Sequence, residues 1–494
     1  MMELKKLLES LTFYNVNGEV ENCEITSLEM DSRKVTSGSA FVCITGFTVD
    51  GHDYVDQAVK KGASAVFTSK PLTKDYEVPI IQVEDTNRAL AMLAVKYYDY
   101  PTKHFPLIGV TGTNGKTTVT YLLDKIFEYH QKKAGVIGTI QVKIGEETFP
   151  IVNTTPNALE LQKTFHMMRE KDVKQGIMEV SSHALDMGRV YGCDYDIAVF
   201  TNLSQDHLDY HQDIQDYLRA KSLLFAQLGN GYNGEKEKYA IINDDDSSSH
   251  LLKRSTAQHV ITYSCKKEAT IMAKDIELTA SGIRFKLHSP LGEIAIQSRL
   301  MGMFNVYNML AASAAAIASK VPLKVIQEAL ESIEGVNGRF EPIAEGQDYS
   351  VIVDFAHTPD SLENVLQTIK DFAKRNVYVV VGCGGDRDRK KRPLMAEVAL
   401  NYADHAVFTS DNPRTEDPQA ILDDMTAELD STSGSYEVVV DRKEGIAKAI
   451  QSAQKDDIIL IAGKGHETYQ IIGHTKYDFD DRDVARNAIK QKGV

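Results

Sequence analysis

The sequence predicts an α/β fold divided into three domains. The chain has 494 residues, and at roughly 150 residues per domain that length holds about three. One unit recurs along it: a short β-branched run, a loop of Gly, Thr, Asn, Asp or His, then an amphipathic stretch. That is the pattern of parallel strands joined by helices. Two punctuation points interrupt the recurrence. At Tyr97-Tyr98-Asp99-Tyr100-Pro101-Thr102 a helical stretch ends at a proline just before a strongly apolar strand. At Gly335-Val336-Asn337-Gly338 a Gly/Asn cluster follows a helical stretch over 323–333. The expected layout is a small α/β N-terminal domain over 1–98, a central doubly wound sheet over 99–335 and a Rossmann-like α/β C-terminal domain over 336–494.

Composition narrows the class. Hydrophobic residues make up 43% and charged residues 25%, the balance of a soluble globular protein. The formal charge of -15 disfavours a nucleic-acid surface, so a nucleotide must be met locally. Cys23, Cys43, Cys193, Cys265 and Cys383 are odd in number and include no C-x-x-C pair, which fits reduced thiols in a cytoplasmic protein. Residues 1–9 have the leucine spacing of a first helix and lack the apolar core and cleavage site of a signal peptide. The Ala-rich stretch 309–318 is far shorter than the ~20 residues of a membrane span. No membrane insertion is expected.

In the first domain the runs Phe41-Val42-Cys43-Ile44, Ala65-Val66-Phe67 and Pro79-Ile80-Ile81-Gln82-Val83 read as short strands between glycines. The second domain opens with the buried strand Phe105-Pro106-Leu107-Ile108-Gly109-Val110, then Thr111-Gly112-Thr113-Asn114-Gly115-Lys116-Thr117-Thr118, then a helical pattern over 119–128. Strand, glycine-rich turn and helix form a phosphate-binding loop of the P-loop ATPase type. Backbone N–H groups curl round phosphate oxygens, the helix dipole assists, Lys116 adds a point charge and Thr117 can bind Mg²⁺. The match departs from G-x-x-x-x-G-K-[ST] at its first position, which falls on Val110 with Gly109 one place early.

Further along, Glu179 ends another apolar run, where a carboxylate can hold Mg²⁺ against phosphates. His207 follows the strand Ile197-Ala198-Val199-Phe200; taken alone it reads first as a loop histidine satisfied by Asp209. The spacing of His207 and His211 comes without a cysteine pair, so a structural zinc has little support. Lys221 shares a helical stripe with Tyr217, Leu224 and Leu228. Such a lysine either snorkels at the stripe's edge or is buried, its pKa lowered, as the neutral amine that combines with CO₂ to give a carbamate for a second Mg²⁺. Asn305 is a plausible N-cap of the Ala-rich helix, and neither it nor Asn308 is assigned a catalytic role.

The third domain holds four strand-loop units, ending in Asp354, Gly382, Asp411 and Gly463. Loops beyond parallel strands converge at one rim. Gly384-Gly385-Asp386-Arg387, Asp411-Asn412-Pro413-Arg414 and Gly463-Lys464-Gly465-His466-Glu467 therefore belong together: Arg387 and Arg414 can each grip a carboxylate and Glu467 can take an ammonium group. That suits an amino acid with an additional distal carboxylate. Arg339, Asp354 and His357 fall where this domain would close over a nucleotide.

The loop from Thr111 to Thr117 resembles that of the Mur ligases, the ATP-dependent amino-acid-adding enzymes of peptidoglycan synthesis, and of their folylpolyglutamate synthetase cousins. Matching blocks run over essentially the whole chain: Asp31-Ser32-Arg33, Asn153-Thr154-Thr155-Pro156, Glu179-Val180-Ser181-Ser182-His183, Asp206-His207-Leu208-Asp209, Gly338-Arg339-Phe340-Glu341, Asp354-Phe355-Ala356-His357-Thr358-Pro359-Asp360 and Gly463-Lys464-Gly465-His466-Glu467. Together they are similar to the members that add the third residue of the peptide. The resemblance implies an ADP-forming ligase with ATP and Mg²⁺ as cofactors and no obligate protein partner. It implies ATP at Gly112, Thr113, Asn114, Gly115, Lys116, Thr117 and Thr118, with Arg339 and Asp354. It places metal at Thr117, Glu179, His207 and a carbamylated Lys221 (N6-carboxylysine), and makes Lys116, Lys221, His207 and Glu179 catalytic.

The same resemblance puts UDP-N-acetylmuramoyl-L-alanyl-D-glutamate against Ser32, Asn153, Thr154, Thr155, Ser181 and Arg189. Some members carry Gln two places before that arginine, where this chain has Met187. It puts meso-diaminopimelate against Arg387, Asp411, Asn412, Pro413, Arg414, Gly463 and Glu467, because Asp-Asn-Pro-Arg marks diaminopimelate-adding members and lysine-adding ones depart at the arginine. Taken singly, most of these polar residues read as turn chemistry. The competing readings are a lysine-adding member, a folylpolyglutamate synthetase, or a nucleotide-binding switch that controls a partner.

Overall fold

A computed structural model describes every residue except 47–48, 152, 208–209, 232–236, 280–281, 430–433 and 494. The first five-stranded sheet has the order Asn15–Asn17, Ile80–Gln82, Ala65–Thr68, Ser39–Val42, Ser27–Glu29. The expected first helix is shorter than its leucine spacing suggests. It spans Leu4–Leu8, and Met2–Glu3 instead pairs antiparallel with Glu24–Ile25.

The second sheet is centred on Leu107–Thr111, which lies parallel between Gln175–Glu179 and Ile197–Phe200. Alternate side chains of this strand enter two cores. Ile108 and Val110 pack with the helices Lys116–Tyr129 and Met303–Ala318, while Leu107 packs with residues of Ala158–Glu170 and Ile214–Ala226. Burial on both faces explains why the strand reads as one apolar run. The sheet is larger and more mixed than a doubly wound one, with eleven strands. A hairpin of Val142–Ile144 and Glu147–Phe149 extends one side. The antiparallel meander Ile271–Thr279, Gly282–Ser289, Gly292–Ser298 extends the other. Asn305 is not an N-cap: the helix begins at Met303 after Gly302, and Asn305 Nδ2 donates to the Met301 carbonyl at 2.8 Å.

The third sheet has six strands in the order Glu341–Ile343, Ser350–Asp354, Ile458–Ala462, Val377–Val381, His405–Thr409, Tyr436–Val439, all parallel but the first. The strand made last therefore lies inside the sheet. A hairpin of Tyr469–Ile472 and Thr475–Asp478 follows it. Among the described residues no helix is long and apolar enough to cross a membrane. All five cysteines are free thiols.

Candidate active site

The parallel strands of the central sheet deliver their following loops to one edge. Gly112 and Gly115 take φ of 148° and 88°, conformations an L side chain rarely adopts. A Cβ on Gly112 would also sit 1.8 Å from Thr201 Oγ1. The loop is clamped by the neighbouring strand end: Thr113 N donates to Asn202 O at 2.8 Å, Asn114 N to Asn202 Oδ1 at 3.0 Å, and Thr201 Oγ1 to Asn114 O at 2.6 Å. Lys116 opens the helix and its Nζ donates to the carbonyls of Gly112 and Thr113 at 2.9 and 2.8 Å. Burial lowers its pKa, against the opposing charges of Glu179 and Asp206.

Glu179 is buried at the end of its strand, and Thr117 Oγ1 donates to its Oε2 at 3.0 Å. Thr139 donates to both carboxylate oxygens, from N at 2.8 Å and from Oγ1 at 2.9 Å. A Cβ on Gly138 would meet Glu179 Oε1 at 2.4 Å, so only glycine lets the carboxylate lie there. A hydroxyl and a carboxylate beside a phosphate loop are hard oxygen donors of the kind Mg²⁺ takes. These residues fit that ion.

Lys221 is 1% exposed, which decides against a snorkelling side chain. Its Nζ donates to Gly112 O at 2.9 Å and lies 4.2 Å from the Tyr217 ring centroid. Burial first, and the Lys116 charge second, hold its amine well below the ordinary 10.5. His207 is half-exposed with φ of 55°; its Nε2 lies 3.4 Å from Asp206 Oδ2 and its ring 4.8 Å from that of His183. His211 is buried against Ser182 Oγ at 3.0 Å. Leu208 and Asp209 lie outside the described residues. Among the described residues no three His, Cys, Asp or Glu side chains gather as a metal-ligand set.

A chain of hydrogen bonds joins this centre to the residues expected to hold the acceptor substrate. Thr139 Oγ1 meets Thr154 Oγ1 at 3.1 Å. Thr155 Oγ1 donates to Glu179 O at 2.9 Å and accepts from Ser181 N at 3.0 Å. Arg189 Nη1 donates to Thr155 O at 3.3 Å, and its Nη2 reaches Met187 Sδ at 3.2 Å. Asn153 is exposed beside them. Ser32 is apart, buried in the first domain with its hydroxyl on Gln57 Oε1 at 2.9 Å.

The third domain meets the phosphate loop directly. Arg339 Nη2 lies 3.4 Å from Thr117 Oγ1, and its guanidinium stacks on Phe355 at 4.7 Å. Ser204 Oγ donates to Asp360 Oδ2 at 2.8 Å, while Ser204 N donates to Thr113 Oγ1 at 3.0 Å. Asp354 is spent on backbone, accepting from Phe340 N and Ala356 N, both at 2.7 Å. Burial raises its pKa despite those bonds and Arg339. His357 Nδ1 bonds its neighbour's carbonyl, Phe355 O, at 2.8 Å.

The three third-domain loops do converge. Gly385 N donates to Asn412 O at 2.9 Å, Arg414 Nη1 to Gly385 O at 2.7 Å, and Asn412 Nδ2 to Glu467 Oε2 at 2.9 Å. Pro413 is buried in the same turn, and a Cβ on Gly463 would press on Asp411 Oδ2 at 2.8 Å. Arg387 stays exposed on the rim. Behind them the buried Arg442 pairs with Asp481 through two bonds of 2.7 Å and donates to Ser410 O and Ala462 O, tying two strand ends to the last helix.

Three family descriptions match in chain order: Mur ligase family, catalytic domain, over 24–98; Mur ligase middle domain, over 110–316; and Mur ligase, glutamate ligase domain, over 338–465. The chain is 96% identical over 492 residues, 100% of both chains, to the UDP-N-acetylmuramoyl-L-alanyl-D-glutamate--2,6-diaminopimelate ligase of Oceanobacillus iheyensis. The chain belongs to the Mur ligase family. A ligase of the same name from Geobacillus thermodenitrificans is 55% identical over 99% of this chain and 100% of its own. A solved structure of a ligase of that name superposes with a TM-score of 0.71 at 34% identity, covering 99% of both chains.

In this Mur ligase the sequence did not single out Thr139, Thr201, Asn202, Ser204 or Asp360 as site residues. Thr139 had a signal available, since it follows the strand Ala134–Ile137 by the rule that drew attention to Glu179. Ser204 and Asp360 are 156 residues apart, and no local pattern pairs them.

Proposed function

We propose that this Mur ligase joins meso-2,6-diaminopimelate to UDP-N-acetylmuramoyl-L-alanyl-D-glutamate while ATP becomes ADP and phosphate, in cytoplasmic peptidoglycan precursor synthesis. The observation that carries the reading is the clamped phosphate loop with Lys116, Thr117 and Glu179 on one side and Arg339 of the third domain reaching Thr117 at 3.4 Å. The loop amides and Lys116 hold the phosphates, and Arg339 adds positive charge from the other domain as the phosphoryl group transfers to the glutamyl carboxylate. Attack of the incoming amine on the acyl phosphate forms the amide, so no protein nucleophile is needed. Mg²⁺, held by Thr117 and Glu179, supplies charge neutralisation at the phosphates when bound.

Lys221, whose amine burial biases toward the neutral form, is the residue to carry a carbamate, and His207 completes the metal-binding set with it. Ser32 meets the uridine end of the acceptor; Asn153, Thr154, Thr155, Ser181 and Arg189 hold its sugar and peptide. Arg387 and Arg414 take carboxylates of diaminopimelate, and Glu467 takes an ammonium group, within the turn formed by Asp411, Asn412, Pro413 and Gly463. The test is ADP release by the purified protein with UDP-N-acetylmuramoyl-L-alanyl-D-glutamate and a panel of amino acids. Turnover is expected with both substrates present and diaminopimelate as the preferred amine. ADP release without the UDP-sugar, or preference for lysine, would refute it.

A further inference from the structure

Lys464 lies in the Gly-Lys-Gly-His-Glu loop between two residues already placed in the amino-acid site. Its side chain is 0% exposed, although a lysine is costly to bury. Its Nζ donates to Asn412 Oδ1 at 3.1 Å and to Glu467 Oε2 at 2.9 Å, and lies 5.5 Å from the Tyr469 ring. Asn412 Nδ2 donates to the same Glu467 oxygen at 2.9 Å, and Asn412 Oδ1 also accepts from Ile471 N at 2.9 Å. The amide orientation of Asn412 is thus fixed by the two donors on its oxygen, and one edge of the Glu467 carboxylate is fixed by the two donors on Oε2. The backbone closes the arrangement with Glu467 N donating to Lys464 O at 2.9 Å.

We propose that Lys464 is a positioning residue of the amino-acid site: by holding Glu467 Oε2 and Asn412 Oδ1 it turns Glu467 Oε1 toward the ammonium group of the incoming amino acid. A carboxylate with both edges free rotates, and an ammonium contact made by a rotating partner loses the geometry that the reaction needs. With Oε2 engaged by a cation and an amide, Oε1 presents a single orientation. Arg414 is set by the same framework, since Ile471 both donates to Asn412 Oδ1 and accepts from Arg414 N at 3.0 Å. This inference rests on the proposal that Glu467 receives an ammonium group.

The experiment measures KM for diaminopimelate, ATP and the UDP-sugar dipeptide separately in the parent, Lys464→Met, Glu467→Gln and the double variant. Lys464→Met should lower kcat/KM for diaminopimelate at least about tenfold, mainly through KM, with KM for the other two substrates within about twofold. In the Glu467→Gln background the same change should cost less than about twofold, because the group it orients is already altered. Equal losses in both backgrounds, or losses spread over all three substrates, overturn the proposal. If Lys464→Met fails to fold, Asn412→Ala removes the other donor on Oε2. It should show the same diaminopimelate-confined loss, and an unchanged KM overturns the proposal. A Glu467→Gln variant with normal diaminopimelate kinetics instead overturns the role of Glu467 itself.

Discussion

Lys221 and Lys116 donate to the same oxygen: each Nζ lies 2.9 Å from the Gly112 carbonyl. Two protonated amines at one acceptor repel, and burial penalises both. The conflict is relieved at Lys221, whose amine is held well below its ordinary value by burial and by the neighbouring charge. Asp206 opposes the shift at both lysines, but Lys116 also faces the Glu179 carboxylate.

The first prediction follows from that asymmetry. Lys221→Ala should be nearly inactive, and a short carboxylic acid that fills the gap should restore part of the activity. In CO₂-free buffer the charged amine costs stability below its lowered folded pKa. Between that value and 10.5 only the unfolded chain holds the proton, so the cost shrinks as pH rises and vanishes above 10.5. Denaturation midpoints of the parent should therefore gain on those of Lys221→Met as pH rises toward 10.5. A constant difference between the two would count against a buried neutral amine.

Lys116→Ala should lower turnover roughly a hundredfold or more, since a charge aimed at a transferring phosphoryl group is typically worth several kcal/mol. Circular dichroism should be unchanged. An active variant would remove the phosphate loop from the mechanism.

Glu179→Gln keeps the side chain's shape and one acceptor oxygen, which can still take the Thr139 N–H, but removes the charge and the other acceptor. The Mg²⁺ concentration for half-maximal activity should rise about tenfold or more. A Mg²⁺ titration identical to the parent's would show that Glu179 does not serve the metal.

Arg414→Ala should lower kcat/KM for diaminopimelate at least about tenfold, the value of one charge-assisted contact. Its effect on lysine should be much smaller, because lysine lacks the distal carboxylate. Equal losses for both amino acids would show that Arg414 does not select between them.

Much of the site is legible in the sequence because parallel strands place loops at a predictable edge. Lys116, Thr117 and Glu179 were found by that rule, and the Lys221 stripe position became a buried amine. The partnerships were not legible. Thr139 reaching Glu179, Ser204 reaching Asp360 and Arg442 reaching Asp481 join common residue types across 40, 156 and 39 positions. The sheet's antiparallel extension over 271–298 was missed for a different reason. Its strands carry one buried face and one charged face, the half-buried pattern of an appended meander rather than the continuous apolar run of a wound core.

The place of Ile458–Ala462 inside the third sheet sets the timing of assembly. Both neighbours, Ser350–Asp354 and Val377–Val381, are made before it under N-to-C synthesis, separated from it by long intervening stretches of chain. Until that strand arrives, the edges of both neighbours that will face it have no partner and stand open to other chains. Nascent or truncated chains ending before Ile458 should accordingly aggregate more readily than the full chain. Completing the sheet is an insertion, locked by Asp481 of the final helix gripping Arg442.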